Sequence, residues 1–287
     1  MGIISRVLVT GATGNVGRAV LHKMSASPVD LYAGVRDIQR AESYLNTQTC
    51  KFCIVDFEKE QYPKIEFDAI FLVRPPQLTS PKIFETFLKS LQPNTKVVFL
   101  SVQGADRKGY LPHAKIEKRI ITLGYNHVFI RPSYFMENLI TTLWDELLYH
   151  QRIYLPADDL ALNWIAVSDI AEVVAMALEQ NLNRESIEVC NITPLHFQQV
   201  VDKINMICET NISYKSPSVI SYITYCLKHR KKLSYIFVML LLHYLPRFSK
   251  SKSKAISHDF REITGKDPLP IEAFIMENRH MFEQLKF

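Results

Sequence analysis

Glycine is scarce in this 287-residue chain, with 9 residues or about 3%, against ~7% in an average globular protein. None falls between Gly124 and Gly265, yet Gly11, Gly14 and Gly17 lie within seven positions of each other. Backbone bare of side chains is therefore needed at one place near the N-terminus. Cysteine is sparse too. The 5 cysteines are odd in number and scattered, with Cys50-Lys-Phe-Cys53 as a lone C-x-x-C. This excludes a disulfide framework and offers no second pair for a structural metal, so reduced thiols in a cytoplasmic setting are expected and a metal site is not. Nothing resembling an apolar export signal precedes the first strand, so neither cleavage nor export is expected. The longest apolar run, Leu233–Leu245, stops at Pro246 after 13 residues. A transmembrane helix needs ~20, so no transmembrane segment is expected.

Acidic residues are absent from 214–256, where nine Lys and Arg fall: Lys215, Lys228, Arg230, Lys231, Lys232, Arg247, Lys250, Lys252 and Lys254. The whole chain carries +5 and this segment +9, which leaves −4 for the rest. One basic segment on an otherwise acidic chain does not make a nucleic-acid binder, and no nucleic acid is expected as a partner. Apolar residues fill nearly every position from 235 to 242, which points to a helix buried on most sides. A peripheral membrane contact and a subunit contact, in a monomer or homodimer, are the other readings of the segment.

With 47% hydrophobic and 22% charged residues, the chain has the composition of a folded protein. Short β-rich runs alternate with helical patterns. Strands are expected at Val7–Val9, Asp30–Val35, Lys51–Val55, Ala69–Val73, Lys96–Leu100 and His127–Ile130. Helices are expected after Gly17 to about Met24 and over Ile38–Leu45, Pro81–Leu91 and Pro112–Leu123. Pro112 suits a first helical position and Gly124 a helix end. Apolar strands separated by helices make an α/β fold with a doubly wound parallel sheet. Beyond Arg131-Pro132 the pattern predicts a helix over Ser133–His150, a short strand at Ile165–Val167 and a helix over Asp169–Glu179. A seventh strand follows at Ile187–Ile192, then a helix over Pro194–Cys208 and a mainly helical 211–287. The expected domains are a nucleotide-binding domain over 1–155, to which 163–192 returns, and a smaller, mostly helical substrate lobe over 193–287.

The glycines lie in Val7-Leu8-Val9-Thr10-Gly11-Ala12-Thr13-Gly14-Asn15-Val16-Gly17, a strand, a turn and the start of a helix. Gly11 permits the tight turn, Gly14 lets a pyrophosphate approach the backbone, and Gly17 lets helix and strand pack closely. The helix N-terminus offers N–H groups to phosphates. Gly11, Thr13, Gly14, Asn15, Val16 and Gly17 thus form a candidate dinucleotide loop of the Rossmann type. Arg36 ends the second strand, where a cation accepts the 2′-phosphate of NADP and an acid would bind the ribose of NAD. Arg40 is a second cation one turn on, and Asp37 suits the N-cap of the following helix. NADP(H) is the preferred cofactor, with NAD(H) as the alternative.

These residues resemble the NmrA-like group of atypical short-chain dehydrogenases/reductases, which includes triphenylmethane-dye and quinone reductases as well as non-catalytic redox sensors. The resemblance spans nearly the whole chain. It runs through the glycine loop, Val55-Asp56-Phe57, Phe99-Leu100-Ser101, His113-Ala114-Lys115-Ile116-Glu117 and Ile130-Arg131-Pro132-Ser133-Tyr134-Phe135-Met136-Glu137-Asn138-Leu139. It continues through Trp164–Ala171 and Ile263–Pro268. It implies that Asp56 and Phe57 flank the adenine, and that Val73 and Arg74, within Leu72–Pro76, run beside the ribose and phosphates. It further implies that Ser101 sits under the nicotinamide and that Pro132, Tyr134 and Phe135 wall the substrate pocket. For Asp56 a strand-end cap, and for Ser101 a backbone-capping hydroxyl, are the alternatives.

Typical short-chain dehydrogenases pair Tyr-x-x-x-Lys on one helix face. Here Tyr110 and Lys115 are five apart with Pro112 between them, so that pair cannot form. His113 and Glu117 are the i, i+4 pair instead. Without the usual acid, hydride transfer to a soft acceptor is favoured over alcohol oxidation or sugar epimerisation. Ser101, His113 and Lys115 are the candidate catalytic residues, with His113 able to donate or position a proton near neutral pH. The expected activity is an NAD(P)H-dependent oxidoreductase that reduces a small organic acceptor such as a quinone, dye or enone. The alternative is an NADP-binding redox sensor that acts through a protein partner.

Overall fold

The computed structural model describes residues 4–45, 49–248 and 256–286. Lys250, Lys252 and Lys254 of the basic segment lie outside the described residues. The chain divides into two units: 1–133 with 167–189 and 258–267, and 134–166 with 190–257 and 268–287.

The first unit is built on seven parallel strands: β1 (Arg6–Thr10), β2 (Asp30–Val35), β3 (Lys51–Ile54), β4 (Ala69–Val73), β5 (Lys96–Leu100), β6 (His127–Pro132) and β7 (Ser186–Val189). Their order is β7-β6-β5-β4-β1-β2-β3. The helices are α1 (Asn15–Lys23), α2 (Ile38–Glu42), α3 (Pro81–Lys89), α4 (Pro112–Thr122) and α5 (Val167–Glu179), with the short helix Asp259–Thr264 returning to this unit. Period-2 alternation sorts the strand side chains between two faces. Leu8, Ile70, Leu72, Val97, Phe99 and Phe129 join Phe84, Phe87 and Leu88 of α3 and Ile116 and Ile120 of α4 in one buried cluster. On the other face α5 packs against β4, β5, β6 and α1. Both faces are covered, which is why the strands read as unbroken apolar runs. The expected doubly wound sheet is the observed one.

The second unit holds three two-stranded pairs and a set of helices around its own core. Tyr134–Phe135 runs parallel to Trp164–Ile165, Arg152–Tyr154 parallel to Ser213–Lys215, and Ala161–Leu162 antiparallel to Leu195–His196. Helices Trp144–His150, Phe197–Cys208, Val219–Lys228, Leu233–His243 and Ile271–Glu277 close over Leu147, Trp164, Phe197, Ile204, Tyr222 and Phe274.

Three local expectations are corrected here. The single helix expected over Ser133–His150 is a strand, a 3₁₀ turn over Met136–Ile140 and the short helix Trp144–His150. Tyr134 and Phe135 pair with strand residues, and Thr141 breaks the path at φ −132°, ψ −83°. The helix expected from Pro194 starts at Phe197, because Leu195 and His196 are drawn into a strand pair. The apolar helix Leu233–His243 buries only Ile236, Met239 and His243, whereas burial on most sides was expected. No helix among the described residues is long and apolar enough to cross a membrane.

Candidate functional site

In the first unit the strand order reverses between β1 and β4, and a crevice opens beyond their carboxyl ends, the usual ligand position of such sheets. Thr10 builds its floor. Its buried hydroxyl donates to the Phe71 carbonyl at 3.0 Å and accepts the Val73 N–H at 2.8 Å, which pins the end of β4 against the glycine loop. Gly11 then turns with φ +60°, and a Cβ there would lie 3.0 Å from the Val73 Cβ. Gly17 is more constrained, since a Cβ would lie 2.8 Å from the Gly11 carbonyl carbon and closer still to its oxygen. Gly14 caps α1 with no side chain, and no acidic residue stands in the helix's first turn. The first N–H groups of α1 thus remain for an anion.

A pocket of about 300 Å³ joins Gly11, Thr13, Gly14, Arg36, Asp56, Phe57, Val73 and Arg74, eight of the residues expected at a cofactor. A second pocket of about 640 Å³ takes in Thr13, Arg36, Asp37, Arg40, Asp56, Glu58 and Lys59. Two of its three carboxylates are spent on backbone. Asp37 accepts the Arg40 N–H at 3.0 Å as the N-cap of α2, and Asp56 accepts those of Glu58 and Lys59 at 2.9 and 3.1 Å. The third, Glu58, lies 3.9 Å from the exposed Arg36 guanidinium. Phe57, which borders the crevice, is a core residue whose ring packs on Phe84 and Phe87 at 5.1 and 5.3 Å.

Arg74 is a clamp. One guanidinium nitrogen meets the carbonyls of Pro75, Pro76 and Leu78 at 3.1, 2.9 and 3.0 Å, and its Nε–H donates to His113 Nε2 at 3.3 Å. Burial and the adjacent cation push His113 down to about 4. The ring is therefore neutral near pH 7, and its proton is assigned to Nδ1 because Nε2 accepts. Such a ring can hold a proton in place at Nδ1, but it is not an imidazolium donor.

Ser101, buried at the end of β5, donates its hydroxyl to Glu117 on α4. Glu117 is held bidentately by Arg131 of β6 at 3.0 and 2.8 Å, and Glu188 of β7 lies 4.0 Å from the same guanidinium. Burial raises Glu188 to about 7. Lys115 is exposed on α4. Tyr110 is 65% exposed in the turn before α4. Pro132 ends β6 opposite Val189 in the first unit, while Tyr134 and Phe135 open the second. There the His243 Nδ1–H donates to the Met239 carbonyl at 2.8 Å, so Nε2 accepts the Tyr134 hydroxyl at 3.0 Å.

The structure therefore brings the loop, strand-end and Arg74 residues around one crevice, and ties Ser101 into a buried network. Glu117, Arg131 and Glu188 are the members of that network without an assigned role in the sequence reading. The i, i+4 spacing of His113 and Glu117 and the Arg-Pro at the end of β6 were the available signals. Burial disfavours both thiolates of the C-x-x-C, pushing Cys53 up to about 12. Among the described residues no group of three His, Cys, Asp or Glu is arranged to hold a metal ion.

No family model matches the chain, and no curated protein sequence does. Solved structures do. The triphenylmethane reductase of Citrobacter sp. superposes with a TM-score of 0.79 at 14% identity, over 96% of this chain and 99% of that one. An NADPH-dependent quinone oxidoreductase of Escherichia coli gives 0.76 at 16% identity, over 95% and 99%. A mutant NmrA gives 0.70 at 15%, over 99% and 98%. The chain has the fold of these proteins.

Proposed function

We propose that this protein binds NADP(H) in the β1/β4 crevice and passes a hydride to a small organic acceptor, such as a quinone, dye or enone. One observation carries the reading: a pocket bounded by a glycine loop where Cβ atoms would intrude, the open N-terminus of α1, and Arg36 at the end of β2. The loop N–H groups of Gly11 to Gly17 would hold the pyrophosphate. Arg36, with Arg40 and Lys59 beside it, would hold the 2′-phosphate, and the backbone at Asp56 and Phe57 would border the adenine. When bound, the dihydronicotinamide supplies a hydride. Ser101 orients the reacting end through an oxygen whose proton is committed to Glu117, and His113 holds a proton at Nδ1. Lys115 is the proposed ribose contact, and Pro132, Tyr134 and Phe135 the substrate contacts. A quinone or a delocalised cation accepts a hydride without a strong acid, which suits a site lacking a Tyr-Lys pair. Support also comes from the reductases of this fold solved with NADP(H) or NADPH.

A second reading is favoured by the same residues. A neutral His113 tied to Arg74, and a Ser101 tied to Glu117, suit a protein that binds NADP and signals without turnover. Measuring nicotinamide oxidation by the purified protein against quinones, triphenylmethane dyes and enones separates the two. Acceptor-dependent oxidation supports the reductase. Saturable NADPH binding with no acceptor consumed supports the sensor, and no dinucleotide binding defeats both.

A further inference from the structure

We infer that the helix pair Val219–Lys228 and Leu233–His243 is a docking surface for an anionic lipid bilayer. Helix Leu233–His243 sets Ile236, Met239 and His243 into the core of the second unit, one stripe at i, i+3 and i+7. At about 100° per residue, Phe237, Val238, Leu242 and the half-buried Leu241 lie on the opposite half of the helix, with Leu233 at its edge. Leu233, Phe237, Val238 and Leu242 are 71%, 65%, 46% and 42% exposed. A surface helix of a water-soluble domain puts polar residues on that half, and this one offers only Ser234 there. Ile220 and Leu227 of the preceding helix are exposed as well, at 79% and 50%. Exposed apolar side chains concentrated in this way mark a contact surface.

The charge says which contact. The turn between the helices is Lys228-His229-Arg230-Lys231-Lys232, every residue of it exposed. Arg230 adopts φ +55°, and the Lys231 N–H closes the first helix on the Cys226 carbonyl at 2.9 Å. The cations therefore stand at the N-terminal end of the apolar face. Lys231 lies 3.6 Å from Asp145. Lys228, Arg230 and Lys232 have no ion pair among the described residues, and no acidic residue occurs anywhere from 214 to 256. An anionic bilayer satisfies both halves of the surface. Headgroups take the cations, and the acyl boundary takes Phe237 and its neighbours. An 11-residue helix is about 16 Å long, which suits lying in the interface and not crossing it. This inference is independent of the proposed cofactor and reaction.

Flotation of the full chain with phosphatidylcholine vesicles, with and without phosphatidylglycerol, tests it. The protein should float with the anionic vesicles at least about tenfold more strongly than with the neutral ones, and less so at high salt. Each cation near an anionic surface multiplies partitioning by about five, so a variant with Lys228→Gln, Arg230→Gln and Lys232→Gln should lose roughly two decades. Phe237→Ser with Leu242→Ser should also weaken flotation. All five side chains are exposed, so both variants should melt like the parent by circular dichroism. Absence of flotation with anionic vesicles overturns the inference. So does flotation that is indifferent to the serine variant, which would be surface charge alone. A parent dimer that the serine variant converts to a monomer, with no vesicle binding, would assign the face to a second copy instead.

Discussion

Arg36 is the residue on which cofactor choice turns in the proposed reading, and it is not alone in its pocket. Its guanidinium is exposed and 3.9 Å from Glu58, an exposed pair of the kind that contributes only about 0–1 kcal/mol. A 2′-phosphate should outcompete Glu58, since a charged hydrogen bond is worth roughly 1.5–3 kcal/mol. Arg36→Ala is therefore expected to weaken NADPH at least about tenfold in a binding titration while barely changing NADH. Glu58→Gln should tighten NADPH by a few fold. Equal losses for both cofactors in the alanine variant would remove Arg36 from the 2′-phosphate. Deeper in the unit, Arg131 and Glu117 are almost wholly covered, with side chains 12% and 6% exposed. Breaking a buried pair leaves a charge without its partner. Glu117→Gln is expected to cost roughly 3 kcal/mol in urea unfolding, the low end for such pairs, because Glu188 still lies 4.0 Å from the guanidinium. A cost below about 1 kcal/mol would mean that water or Glu188 already neutralises Arg131.

Elements with one strong local cause were legible. Thr10–Gly17 reads as strand, turn and helix because only bare backbone fits there, and Gly17 shows how tight that fit is. A methyl at Gly17 would press on the Gly11 carbonyl carbon at 2.8 Å, and overpacking of that kind costs about 1–3 kcal/mol. Gly17→Ala is thus expected to lower the unfolding midpoint and weaken dinucleotide binding together. Unchanged stability with lost binding would instead make Gly17 a ligand contact and not a packing one. Most of the seven strands were legible as nearly continuous apolar runs, although β7 alternates Ser186 and Glu188 with Ile187 and Val189, and Asp37 was legible as the N-cap it proves to be. Segments set by partners distant in sequence were not. Tyr134-Phe135 becomes a strand because Trp164-Ile165 runs beside it, and nothing near residue 134 announces that. Leu233–His243 is apolar on every side, so its composition alone implied burial, although its neighbours cover only one stripe. The partners of Arg74, three loop carbonyls and a histidine 39 positions away, leave no local pattern either.

At the scale of the whole molecule, three titratable groups shifted by desolvation set how each unit responds to acid. In the first unit Glu188 is raised from 4.5 to about 7, and His113 is lowered from 6.5 to about 4. The raised carboxyl favours the folded state below its unfolded pKa, and that stability is lost as pH rises through 7. The depressed histidine favours the folded state above 6.5, and that stability is lost as pH falls through 4. Between about pH 4.5 and 6.5 the folded unit therefore holds one extra proton on Glu188 and lacks one on His113, and the two slopes cancel. In the second unit His243, fully buried and also lowered from 6.5 to about 4, has no such counterweight among the groups shifted into this range. Acidification from pH 6.5 to 4 should cost that unit about 3 kcal/mol. Both tryptophans, Trp144 and Trp164, belong to the second unit, so their fluorescence reports on it alone. Urea unfolding followed by tryptophan fluorescence is expected to weaken steadily over that pH range, while hydrogen exchange in β1, β4 and β5 stays nearly flat. Glu188→Gln should remove the cancellation: the first unit becomes more stable than the parent at pH 8, by up to about 3 kcal/mol, and acid-sensitive below 6.5. A flat fluorescence-detected stability from pH 6.5 to 4 would show that His243 takes up its proton in the folded state, and that its bond from Tyr134 does not hold the ring neutral.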